Sequence, residues 1–324
     1  MKKLSILLIL FLLLQQINIS ADLVKIVGDG YQKNILEFEA KIANKIEEKL
    51  KDTKTAAERK KVINYVHSDQ KFDLKNAIFW GDCSWLANEI LKEVNPKLHK
   101  KMLKLKESGD NNLRAYVYYH IFNEILRLKT TEKNMLGITT DDALSEPNNW
   151  IHNTTPNELK KELEKNLTDK EKINKAVKSY TKRYNFFKKM QTKEWQKNLA
   201  DIKNDWTIVT HVDNWKPGDF LVAYYKVNKG EAEEGEIDST GHSMMIIGYP
   251  KKVGTGVYEI EIMDSGQGPR IDDKIRKGSD DGIGIGKIRI LVNPATEKPI
   301  GWQTKKSDSE WRDTGGRMIV GRME

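Results

Sequence analysis

The 324-residue chain has a single cysteine, Cys83. That excludes an intrachain disulfide framework and any cysteine-rich zinc module. Long apolar runs are also missing. The only extended one, Leu4–Leu14, has 11 residues, where a spanning helix needs about 20. A mean hydropathy of −0.64 is too polar for a multi-pass membrane protein, and 38% hydrophobic content is too high for a disordered chain. No internal repeat is visible. The run Gly282–Gly286 is no phosphate loop, because no Gly-Lys-Ser/Thr ends it and no helix follows. Asp272, Asp273, Asp280 and Asp281 do not have the spacing of a calcium loop.

Lys2 and Lys3 precede the apolar run, and a polar stretch ending at Ala21 follows it. This is the pattern of a secretory signal peptide over residues 1–21. The mature protein is then expected to be exported, either periplasmic or secreted, with no membrane span left after leader removal. A lone cysteine in an oxidising compartment is either a buried small residue or a reactive thiol.

The rest reads as helices first and sheet second, an α+β chain. Ile35, Phe38, Ile42, Ile46 and Leu50 form a stripe at helical spacing, which predicts a packing helix over 31–66 within an N-terminal helical segment, 22–70. An inhibitory pro-segment is the alternative. A single domain is expected over 71–324, with a helical insertion at about 97–205. Thr155–Glu158 and Thr168–Glu171 read as capping boxes, the second opening a long helix. Residues 151–205 hold 14 Lys and Arg against 8 Asp and Glu. That lysine-rich face is either merely solvated or a contact for an anionic polymer. Interspersed acidic residues and the absence of an arginine cluster argue against nucleic acid. From Trp206 the periodicity changes to short β runs: 206–212, 219–226, 243–249, 257–263, 287–292 and 317–322. Few helical patterns interrupt them, so the sheet should be mostly antiparallel.

Asp82 is a good N-cap, which places Cys83 in the first turn of a helix. The positive end of a helix lowers a thiol pKa, and its free N–H groups can hold an oxyanion. His242 follows Gly241 at the mouth of an apolar strand, on the face of Met244 and Ile246 by alternation. Asp264 ends the next strand on the face of Tyr258, Ile260 and Ile262. A carboxylate there suits the orienting of an imidazole. His211 and Asp213 with His242 have the spacing style of a two-histidine, one-carboxylate iron site. No arginine stands near to hold a co-substrate.

The ordered set Asp82-Cys83-Ser84, Pro217-Gly218-Asp219, Gly241-His242-Ser243 and Asp264-Ser265 resembles the papain-like cysteine hydrolases of the NlpC and CHAP kind. Gly282–Gly286 with Met318–Arg322 resembles an uncharacterised bacterial branch of that superfamily. The resemblance implies a papain-like fold in which a catalytic helix packs on the sheet. It implies Cys83 as nucleophile, His242 as base and Asp264 as orienter, with neither metal nor organic cofactor. It implies hydrolysis of peptide or isopeptide bonds. Export makes bacterial cell-wall stem peptides in peptidoglycan the leading substrate. A protein-directed peptidase, an acyltransferase and a non-catalytic cell-envelope binding module are the alternatives. Asp82 and Ser84 flank the nucleophile. Gln70, Tyr65 and Trp80 are open candidates for the second oxyanion donor. Two features depart from the pattern: Trp85 stands where glycine is usual, and the insertion is long.

Overall fold

The computed structural model describes residues 30–107, 109–135, 154–225, 241–304, 311–313 and 317–324. The leader expected at 1–21 lies outside them. Among the described residues no helix is long and apolar enough to cross a membrane.

The N-terminal stripe forms helix α1 (Tyr31–Leu50), with Ile35, Phe38, Ile42 and Ile46 buried. It stops well short of residue 66. Thr53 closes a turn on the Leu50 carbonyl, and a Thr55–Glu58 capping box starts the short α2 (Ala56–Arg59). Strands β1 (Ile63–Asn64), β2 (Lys71–Asp73) and β3 (Ile78–Trp80) then make a small three-stranded sheet. Residues 22–70 are therefore not helical throughout. β1 pairs with β3 across the boundary expected at residue 70.

Next comes α3 (Cys83–Val94), buried on nearly every side by α1, the insertion and the sheet. The insertion contains α4 (Pro96–Met102), α5 (Ala115–Met135), α6 (Pro156–Asn166), α7 (Lys170–Met190) and α8 (Lys193–Ala200). Thr155 and Glu158 form the expected capping box. At α7 the cap is Asp169, whose Oδ1 accepts from the N–H groups of Glu171 and Lys172, rather than a Thr168–Glu171 box. α6 and α7 share a small core of Leu159, Leu163, Ile173, Ala176, Tyr180 and Phe187. α5 belongs to the main core instead. Its Tyr118, Ile121, Phe122 and Ile125 pack with Trp206, Phe220 and Ile319.

All six expected strands form. They are β4 (Trp206–Val209), β5 (Phe220–Ala223), β6 (His242–Ile246), β8 (Val257–Gly266), β9 (Gly282–Val292) and β12 (Met318–Met323). Three that were not expected complete the sheet: β7 (Lys251–Gly254), β10 (Pro299–Gln303) and β11 (Arg312–Asp313). The order is β11-β10-β9-β8-β6-β5-β12-β4, with β7 on β8, and every pairing is antiparallel. One face packs on the helices through Met245, Ile247 and Met263. The other carries Met244, Ile246, Tyr258, Ile260, Ile262 and Trp302 in a core drawn from strands and their turns. Asp219, after the Pro217-Gly218 turn, is wholly buried and receives both Arg322 Nε and Nη2 at 2.8 Å, tying β5 to β12. The fold is α+β, as the order of elements predicts.

Candidate active site

Asp82 caps α3 by accepting the Trp85 N–H at 2.8 Å and the Ser84 hydroxyl at 2.9 Å, both through Oδ1. Its Oδ2 lies 3.2 Å from His67 Nδ1. Burial works against the charge of Asp82, but these bonds hold its carboxyl below the usual range. The cap fixes Cys83 in the first turn, 6% exposed. The Cys83 and Ser84 backbone N–H groups have no intrahelical acceptor there, by position alone.

His242 opens β6 at a place where β5 runs close. A Cβ on Gly241 would lie 2.3 Å from the Ala223 carbonyl oxygen. His242 is 7% exposed, and its Nε2 stands 2.6 Å from Asp264 Oδ2. Cys83 is close enough to act on the ring both by its charge and as a hydrogen-bonding partner. Trp302 covers the ring, its centroid 5.7 Å away and nearly parallel at 21°. Burial alone would push this imidazole down. The charge on Cys83 opposes that first, followed by the bonds to Asp264 and Cys83 and the Asp264 charge, and the imidazole is held up at about 9.

Asp264 is wholly buried in β8. Besides His242, its Oδ2 accepts from Arg270 Nε at 2.9 Å and Nη2 at 2.5 Å, and its Oδ1 accepts from Arg276 Nη2 at 2.8 Å. Burial opposes the charge, but Arg270, then Arg276, then His242 hold the carboxyl far below its ordinary range. Room for both arginines is made by glycine. A Cβ on Gly284, the β9 partner of Asp264, would fall 2.0 Å from Arg276 Nε, and one on Gly266 would fall 2.2 Å from Arg270 Nη2.

Cys83 and His242 open onto a cleft of ≈ 1030 Å³. Tyr65, His67 and Gln70 line it, as do Asp110, Asn112 and Arg114 of the insertion and Arg270 and Trp302 of the sheet. Of the candidates named from the sequence, Cys83, His242 and Asp264 meet. Asp82 and Ser84 reach the cleft but are engaged in the helix cap. Gln70 lines the cleft, its Oε1 accepting from Asn112 Nδ2 at 3.1 Å, which leaves its own amide N–H groups for the cleft. Tyr65 is there too. Burial first, and the neighbouring charges of Cys83 and Asp82 next, push its hydroxyl well above the usual range. Trp80 does not line the cleft, and its indole N–H is donated to the Lys61 carbonyl at 3.2 Å.

Sequence reasoning missed Arg270, Arg276 and Trp302. It also gave no role to His67, which lines the cleft. The Gly-x-Gly-x-Gly run of β9 carried a signal for Arg276, since side-chain-free positions on a central strand mark another group's approach. Among the described residues no three His, Cys, Asp or Glu side chains gather as a metal site. His211 and Asp213 do not join His242 in one. The arrangement can generate a thiolate, hold an oxyanion and deliver a proton to a leaving group. Comparisons with family models, with curated proteins and with solved structures find no match.

Proposed function

We propose that the protein is a thiol hydrolase of amide bonds with a papain-like arrangement. The observation that carries the reading is the meeting of Cys83, at the N-terminus of a buried helix, with the hydrogen-bonded pair His242–Asp264 at one cleft. In the reaction, the Cys83 thiolate attacks the amide carbonyl while the α3 N–H groups and Gln70 or Tyr65 receive the oxyanion. His242 gives its proton to the leaving amine. Water, deprotonated by His242, then releases the acid and restores the thiolate beside a protonated His242. Asp264 orients the ring, and Trp302 shields its bond to His242 from water.

The cleft volume accommodates several residues of a peptide. The leader and the family resemblance favour cell-wall stem peptides. The test is incubation of the protein with purified cell-wall peptides, with new amino termini read by mass spectrometry. Cleavage that disappears in Cys83→Ala and His242→Ala is expected. Binding of those peptides without turnover, unchanged in Cys83→Ala, would make the protein a binding module instead.

A further inference from the structure

Arg114 sits immediately before α5, and its place is fixed relative to the helix that carries Cys83. Asn88 of α3 donates to the Leu113 carbonyl at 2.8 Å and accepts the Leu113 N–H at 3.2 Å. The guanidinium is held from behind. Its Nε bonds Asp110 Oδ2 at 2.5 Å and lies 2.9 Å from Glu107 Oε1. Neither of its Nη groups bonds another described residue, and the side chain is 40% exposed along the cleft. The charge of Asp82, next to Cys83, reaches it.

The acidic groups around the cleft are already engaged. Asp110 takes Lys182 on its other oxygen at 2.9 Å, Asp82 caps α3 and meets His67, and Tyr116 donates its hydroxyl to Glu107. The other guanidinium of the cleft, Arg270, is committed to Asp264 and the Gln267 carbonyl. Arg114 therefore presents a planar fork of free donors whose back is fixed. That geometry matches a carboxylate bidentately.

We propose that Arg114 forms a carboxylate subsite, so that the substrate is a peptide carrying a free carboxylate near the amide that Cys83 attacks. This rests on the thiol-hydrolase reading and makes Arg114 a specificity-determining residue within it.

The single cysteine makes the test clean, because a mass gain reports Cys83 alone. Pairs of methanethiosulfonate reagents of equal length, ending in a carboxylate or in a carboxamide, are reacted with the full protein over a series of chain lengths. At one length or more the carboxylate reagent is expected to label faster by about tenfold, the worth of a charge-assisted bidentate contact. Arg114→Gln is expected to remove most of that ratio, and Arg114→Lys, which keeps the charge but loses the fork, to retain part of it. His242 is common to all three proteins and cannot account for the difference. No carboxylate preference at any length in the unaltered protein overturns the subsite, whatever the variants do. So does a preference that Arg114→Gln leaves intact. Slow labelling by both reagents below pH 7, no faster than a free thiol, would instead defeat the thiol-hydrolase reading.

Discussion

Asp264 carries one negative charge and faces three cationic partners: His242, Arg270 and Arg276. With two arginines on it, the carboxylate stays ionised and acts on the imidazole through orientation and a hydrogen bond. The site was legible in part. Cys83 stood out as the only cysteine behind a capping aspartate, and strand alternation put His242 and Asp264 on one face. The arginines were not legible, because they come from the connection between β8 and β9, where no periodicity fixes direction. The proton on His242 gives a stability prediction. The folded imidazole titrates at about 9, above its ordinary value of 6.5, so its contribution is complete below pH 6.5 and lost as pH rises through 9. Urea denaturation of the wild type and of His242→Gln should show a stability gap that is widest near pH 6 and shrinks toward pH 9. A gap that widens with pH would contradict the charged pair.

Strands with long apolar runs were readable as elements, whereas β7, β10 and β11 were not. β7 is exposed throughout, β10 carries Pro299 and Gly301, and β11 has two residues, so pairing with a neighbour rather than local pattern makes them strands. α1 ends at Leu50 because the stripe ends there and Thr53 and Thr55 offer competing local bonds. The β9 glycines give the element-scale prediction. Gly284→Ala places a methyl where Arg276 lies, displacing it from Asp264 and Asp273. The loss should be about 3–5 kcal/mol, as for breaking a buried ion pair. Arg276→Ala should cost a similar amount, and the double variant should cost much less than the sum, because both act on the same contact. Additive losses would show that Gly284 matters for some other reason.

The whole molecule differs most from its sequence in the helical insertion. Charge and caps marked it as helical, but composition could not reveal that α5 fills the main core. Phe122 is fully buried, its ring 4.8 Å from that of Trp206, and a Cβ on Gly321 of β12 would lie 2.4 Å from it. Phe122→Ala should therefore destabilise the entire fold by about 3–5 kcal/mol in a single cooperative transition. Separate melting of the insertion would contradict a shared core. The insertion also walls the cleft, so fold and site depend on the same packing. The central claim is that this packing brings Cys83 and His242 together as an activated pair. The most direct measurement is the rate of Cys83 alkylation by iodoacetamide as a function of pH, in the wild type and in His242→Ala. A free thiol titrates near about 8.5. Rapid alkylation well below pH 7 that His242→Ala abolishes is the predicted result. Reaction in both proteins following a free thiol, or only after unfolding, would contradict it.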